Sequence, residues 1–580
     1  MVDRRQNFTF SQRSGLLTAF LLLCFVVVLA KLFSLQIING HTAKQKADAQ
    51  HSIYRKLLPT RGEIKLMDPL SKGTTAVATN LESFLVYAVP NSVINPNQTA
   101  ASLAEILQLD KNEVLEKITR LDKKYVPIKK ALTEEEQAKI FKLKLSGIFF
   151  DSEDTRFYPE NNLLSQVVGF VGYKDKSSQK LGLYGLEKYF DKELTGEAGE
   201  LVTEKDSSGS TIAGAENKGS PAVDGATLIL TIDKSIQFKA QSVIKDSVTK
   251  HGADAGSIIV ANPKTGAVLA IANFPDFNPN EYNKVEDPKS FSNIAMVGNY
   301  EPGSVFKPIT MAAAINEEKV TPETTYIDEG IVEVDGYKIK NSDLLAHGKQ
   351  NMTQVLDESL NTGAIFAKEQ IGNSKFLEYV KNFGFGKPTE VELPESQGNL
   401  DSLKGNIQVN YHAASFGQGI SVTPIQLIQA YGALANQGKM MQPYIIQSKI
   451  YAEGKTENTS TREVREVISP RTANSIGAML VSVIENGHGK RAGVPGYYLA
   501  GKTGTAQVPK KDGKGYEENN NIGSFIGYGP VDDPQFVMLV RIDHPRDVSY
   551  AESTAAPAWG EMAQFILNYY HIAPTREIVK

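Results

Sequence analysis

The run "GLLTAFLLLCFVVVLAKLFSLQII", Gly15 to Ile38, constrains this chain more than any other feature, because so long an apolar stretch needs a place away from water. From Gly15 to Ala30 only Thr18 interrupts it. As a helix, Leu16 to Ile38 would extend about 34 Å, enough for a hydrocarbon core of roughly 30 Å. Lys31 can snorkel towards the headgroups. Arg4, Arg5 and Arg13 precede the run, so the positive-inside rule keeps residues 1–14 cytoplasmic and sends everything after Ile38 across the membrane. A cleavable signal peptide is the alternative; the length of the run and the lack of a nearby A-x-A site stand against it. The expectation is a single-pass protein of the cytoplasmic (inner) membrane, with its N-terminus inside and its bulk outside. The one cysteine, Cys24, lies within the span, so the exported part cannot form disulfides.

At 580 residues the chain exceeds one compact core, and ordinary domain sizes suggest two to four domains. A net charge of -4 and the absence of basic repeats give no reason to expect a nucleic-acid partner. Eight histidines scattered singly leave a metal site unsupported, and no cofactor is expected.

Residues 39–58 read as polar and helical in tendency, and "PTRGEI" then opens short strands and turns. The region to about Gly219 contains the helical pattern "TAASLAEILQL" and the turn-rich "SEDTRFYPENN", with no catalytic cluster. It suits a stalk or a docking surface. At "VDGATLILTIDKSIQ" an alternating strand runs into a helix, and "GSIIVANPKTGAVLAIAN" reads as a hairpin turning at Pro263. Helices fill much of Val305 to Leu480, then strands return in "YYLAGKTGTAQV", "IGSFIGYGP" and "QFVMLVRID". One sheet completed from distant pieces makes an α+β domain. The amphipathic helix "APAWGEMAQFILNYY" carries Trp559 as a packing residue, and Lys510 to Asn521 is expected to be a mobile loop.

In "YEPGSVFKPIT", Ser304 and Lys307 stand three apart among prolines. On a helix such residues share a face, which sets a nucleophile beside a possible base. An ordinary helix start with Ser304 as cap is the bland alternative. Two more short signals follow in order: Ser359-Leu360-Asn361, then Lys502-Thr503-Gly504-Thr505. Each is weak alone, and Lys264-Thr265-Gly266 is a chance copy of the last, best explained as a turn. Ser359 and Asn361 could equally end a helix that Asn351 and Gln354 cap.

Together, S-x-x-K, S-x-N and K-T-G in this order resemble the penicillin-binding proteins and serine β-lactamases. The likeness extends through "RGEI", "RFYPENN", "GLYGLEKYF", "LILTIDKSIQ", "SFGQGISVTPIQLIQAYGALANQG" and "AAPAWGEM", and is to the class B, monofunctional transpeptidases. The family commonly continues "RGxI" with an acidic-basic-Asn-Gly turn; here "KLMDPLSKG" follows Ile64. The resemblance implies a β-lactamase-like transpeptidase domain, an antiparallel sheet with helices on both sides, at residues 222–580. An elongated membrane-proximal pedestal at 39–221 and a transmembrane helix at 15–38 would precede it.

A free lysine, with pKa near 10.4, is neutral in only about one molecule in 2,500 at pH 7. Burial and a second cation would make Lys307 a base for Ser304, and the resemblance supplies Lys502 as that cation. It also implies Ser359 as proton relay, Asn361 as orienter of the substrate amide and of Lys307, and Lys502 with Thr503, Gly504 and Thr505 as the carboxylate site. The backbone N–H groups of Ser304 and Thr505 would form the oxyanion hole. Substrates would be peptidoglycan stem peptides, with β-lactam antibiotics as mimics; partners would be a SEDS-family glycan polymerase and other divisome membrane proteins. The short tail, compact length and lack of a large C-terminal extension lean towards the cell-division type. The alternatives are an elongation-type transpeptidase, a D,D-carboxypeptidase or β-lactamase, a β-lactam sensor, and a catalytically silent divisome scaffold.

Overall fold

The computed structural model describes residues 10–42, 44, 52–69, 73–174, 180–204, 218–510, 515–548 and 550–577, in two units. The first lies within Met1–Pro59 and Gly196–Asp224. A helix over Phe10–Phe33 passes into a π-helical turn at Ser34–Ile38. Ser14–Ile38, 25 residues with an apolar window of mean hydropathy 2.7 and none of that window buried, is long and apolar enough to cross a membrane. Arg4 and Arg5, which set the expected orientation, lie outside the described residues. Ser52–Leu57, expected to be helical, is instead a strand: it pairs antiparallel with Gly199–Glu204, which pairs with Lys218–Ser220. Pairing across some 150 positions overrides local propensity there.

The second unit comprises Thr60–Thr195 and Gly225–Lys580. Its membrane-proximal sequence builds on the long strand Gly73–Ala88, which pairs with Ile64–Asp68, Val126–Leu132 and Ile148–Phe157. The last of these corrects the expected turn-rich stretch: it is paired from Ile148↔Ala88 to Phe157↔Thr79, and the chain turns only afterwards. "TAASLAEILQL" falls in and just beyond the helix Pro96–Leu107. Arg61 of "RGEI", Arg156 and Tyr158 of "RFY", and Glu187 of "GLYGLEKYF" meet inside. Glu187, 0% exposed, accepts from Arg61 and Arg156 at 2.7 Å each and from the Tyr158 hydroxyl at 3.3 Å.

The other sheet runs Val268–Phe274, Ala255–Ala261, Phe536–Asp543, Tyr516–Gly529, Ala500–Pro509, antiparallel throughout. Sequence-distant strands meet where Ala255–Ala261 pairs with Phe536–Asp543. Period-two alternation buries both faces. Ile258, Val260, Met538 and Val540 pack with the helices Lys234–Lys250 and Ala555–Tyr569, where the Trp559 indole donates to Met538 O at 2.9 Å. Ile259, Ala261, Val537 and Leu539 face the opposite core, which contains Phe306, Ile309, Leu427 and Leu480. Part of the expected mobile loop is ordered strand: Tyr516–Gly529 takes up Tyr516 to Asn521, while residues 511–514 lie outside the described residues.

Candidate active site

Ser304 sits in a 3₁₀ turn, Gly303–Phe306, that runs directly into the helix Lys307–Asn316. Pro308 has no N–H for an i to i+4 bond to the Ser304 carbonyl, and that carbonyl instead accepts from the Lys307 N–H, three residues on. Gly303 enters the turn at φ +59, a conformation costly for any residue with a Cβ. Two buried bonds fix the turn: Gly303 N–H to Gly417 O at 3.0 Å and the Tyr431 hydroxyl to Val305 O at 2.6 Å.

The short helix Met352–Asp357 begins with the expected Asn351/Gln354 capping box. The chain then turns through Ser359 at φ +56, a left-handed conformation for a side-chain-bearing residue, before the helix Asn361–Asn382 begins. That turn brings Ser359 to both lysines. Lys307, 1% exposed, donates from Nζ to the Ser359 carbonyl and, at 3.2 Å, to its Oγ. Lys502, 0% exposed, donates to the same Oγ at 3.0 Å and to Thr503 O at 3.3 Å. One hydroxyl bridges two buried amines.

Burial, and then the neighbouring charge of Lys502, hold the Lys307 amine well below the ordinary lysine range. Burial also lowers Lys502, to about 7, against an upward pull from Asp357. Burial and the Lys502 charge both shift the Lys307 amine towards its neutral, proton-accepting form. Near neutral pH, Lys502 is divided between its two forms.

Gly504 allows the strand to approach. A Cβ there would lie 2.8 Å from Val305 Cγ1 and 3.1 Å from Pro302 O, and one on Gly303 would lie 3.3 Å from Thr505 O. The K-T-G-T strand and the S-x-x-K turn are thus in contact along Gly504 and Thr505. Thr503 is buried, while Thr505 is half-buried and its Oγ1 accepts from Ala551 N–H at 3.2 Å. Asn361 departs from expectation: its Nδ2 donates to Lys340 O at 2.9 Å, and among the described residues no hydrogen bond joins it to Lys307. The second K-T-G is a hairpin apex, where Asn262 Oδ1 accepts from the N–H groups of Lys264 and Thr265, and the Lys264 side chain is exposed.

Two carboxylates were not anticipated. Asp357 is buried two residues before Ser359; its Oδ2 accepts from Ser482 Oγ at 2.9 Å, and burial pushes its pKa up. Glu301, raised by burial, accepts from Gly419 N–H at 3.0 Å and from the Tyr516 hydroxyl at 3.1 Å, tying together three segments. Its place immediately before Pro302 was the only sequence signal available.

The penicillin binding protein transpeptidase domain matches residues 256–564, and the penicillin-binding protein dimerisation domain matches 56–230. Stage V sporulation protein D of Bacillus subtilis is 33% identical, covering 100% of this chain and 88% of its own length. Peptidoglycan D,D-transpeptidase FtsI of Escherichia coli is 27% identical over 99% of this chain and 94% of its own. The crystal structure of penicillin binding protein 3 from Mycobacterium tuberculosis, complexed with aztreonam, superposes with a TM-score of 0.70 at 25% identity, covering 90% of this chain and 99% of that one.

Proposed function

We propose, because the chain belongs to the penicillin-binding protein transpeptidase family, that it is a peptidoglycan D,D-transpeptidase working through an ester on Ser304. The observation that carries this reading is the Ser359 hydroxyl between the buried Nζ atoms of Lys307 and Lys502. Ser304 Oγ attacks the carbonyl of the penultimate D-Ala of a stem peptide while neutral Lys307 takes its proton. The C–N bond then breaks, and the departing D-Ala nitrogen receives a proton relayed from Lys307 or Lys502 through Ser359. An amine from a neighbouring stem attacks the ester, releases Ser304 and completes the cross-link. The backbone N–H groups of Ser304 and Thr505 are the proposed oxyanion donors, each of a kind typically worth about 3 to 4 kcal/mol. Lys502, Thr503, Gly504 and Thr505 hold the substrate carboxylate. Asn361, whose Nδ2 donates to Lys340 O at the start of its helix, is the proposed contact to the substrate amide.

β-Lactams acylate the same serine, a reading supported by the aztreonam complex of the mycobacterial relative. The apolar N-terminal helix anchors the protein in the cytoplasmic membrane, with residues 1–14 inside and the pedestal and catalytic parts, 39–221 and 222–580, outside. Its partners are a SEDS-family glycan polymerase and other divisome membrane proteins, and its setting is the septum, as the FtsI name of several relatives supports.

Intact-mass and peptide mass spectrometry after benzylpenicillin treatment tests the chemistry. The adduct should sit on Ser304 and vanish in Ser304→Ala; an undiminished adduct in the variant overturns the assignment. A stem-peptide donor with an amine acceptor should yield cross-linked product, whereas hydrolysis alone would indicate a carboxypeptidase. Depletion should give filaments. Rounded cells would instead favour elongation, and a defect confined to spores would follow the sporulation relative.

A further inference from the structure

The helix that opens at Asn361 has no cap of its own. Leu360 stands at its N-cap and is spent on the core, 1% exposed, so the N–H groups of Asn361 and Thr362 have no acceptor within the helix or beside it in sequence. Both are satisfied from some twenty residues back in the chain: Asn341 Oδ1 accepts from Asn361 N–H at 3.0 Å and from Thr362 N–H at 3.2 Å. A polar residue at position 360 would have capped the helix more simply.

Asn341 is buried and follows the strand Tyr337–Lys340, in the excursion that the chain makes between the helix Lys307–Asn316 and Ser359. Its amide is oriented without ambiguity. Nδ2 donates to Leu345 O at 3.2 Å and to Asp328 Oδ2 at 2.9 Å, and because a backbone carbonyl only accepts, the oxygen must face the helix. Asp328, at the end of the strand Thr325–Asp328 and equally buried, also accepts from the Thr362 hydroxyl at 2.6 Å, Gly330 N–H at 3.0 Å and His347 N–H at 2.9 Å. Four hydrogen bonds compensate its charge. They join that strand, the loop at Asn341 and the first turn of the helix in one network.

The neighbouring residue completes the hold. Lys340 O accepts from Asn361 Nδ2 at 2.9 Å, so two consecutive residues fix both the side chain and the backbone of Asn361. We propose that Asn341 is a positioning residue for the transpeptidase: anchored by Asp328, it sets where Asn361 stands for the substrate amide. The inference rests on the role proposed above for Asn361, and it requires that Asn341 affect acylation through Asn361.

Stopped-flow acylation by benzylpenicillin and thermal midpoints, on the detergent-solubilised full chain, test this as a cycle of Asn341→Ala, Asn361→Ala and the double variant. Asn341→Ala should slow acylation at least about ten-fold. In the Asn361→Ala background the same change should slow it by less than about two-fold, while the midpoint falls equally in both backgrounds, since the backbone N–H groups lose their cap in each. Where Asn341→Ala does not fold, Asp328→Asn replaces it with the same pattern expected, because an amide cannot accept from all four donors. The proposal is overturned by acylation within about two-fold of the parent in the folded variant, or by equal slowing with and without the Asn361 side chain. A Ser304→Ala control keeps the two readings apart: undiminished labelling there overturns both, whereas Ser304-dependent labelling with no coupling between Asn341 and Asn361 overturns this one alone.

Discussion

Ser359 holds its hydroxyl between the Nζ atoms of Lys307 and Lys502, the arrangement on which the proposed chemistry at Ser304 rests. Two ammonium groups beside one hydroxyl would repel each other, and burial together with that repulsion lowers the Lys307 pKa. Replacing Ser359 by Ala removes the bridge while leaving both amines buried, and should slow acylation by benzylpenicillin by about 10² to 10⁴-fold, as for loss of a positioned proton carrier. Stopped-flow acylation kinetics measure this. Lys502→Met makes a different prediction, because Lys502 is a like charge acting on Lys307. Removing that charge raises the Lys307 pKa, so the acid limb of the acylation rate against pH should move to higher pH; a limb that stays in place assigns the base to another group. Lys264→Met, in the other K-T-G, should leave acylation unchanged, because Lys264 Nζ pairs with Asp533 on the surface.

At the level of the element, the site depends on how closely a strand and a helical turn approach. Gly504→Ala would set a methyl 2.8 Å from Val305 Cγ1 and 3.1 Å from the Pro302 carbonyl, too near for either to remain in place. Acylation should fall by an order of magnitude or more, with a stability loss of roughly 1 to 3 kcal/mol in a chain that still folds; denaturant midpoints and penicillin labelling separate the two effects. Such closeness was not legible in the sequence, where Gly504 and Gly266 look alike. The alternation "GSIIVANPKTGAVLAIAN" did identify its hairpin, and the Asn351/Gln354 pair its cap, because each is written by residues close together along the chain. Ser52–Leu57, and Ser152–Phe157 at the start of the expected turn-rich stretch, are strands for the opposite reason: their partners are Gly199–Glu204 and Gly73–Ala88, and nothing local announces them. The order of the three motifs pointed to one site, but the contacts of Asn361 with Lys340 and of Asp357 with Ser482 depend on packing that no spacing encodes.

Across the whole molecule, stability and chemistry draw on buried charge in opposite ways. Glu187 is compensated by two arginines and a tyrosine; Arg61→Met strips away one partner and should cost about 3 to 5 kcal/mol in denaturant unfolding. Lys502 is buried with little compensation beyond Asp357, and its pKa near 7 means the folded state binds this proton less tightly than the unfolded chain does. Between about 7 and the ordinary 10.5 the unfolded state holds more protons, so this group makes stability rise with pH across that window. Below it, both states are protonated and the penalty is constant. Lys502→Met removes the penalty and should be more stable than the parent at pH 7, by on the order of 3 kcal/mol. That advantage should shrink steadily as pH approaches 10.5, as thermal midpoints of the two proteins taken across the range would register. A variant equally stable at every pH would mean that Lys502 is solvated in the folded protein and that its amine is not held for catalysis.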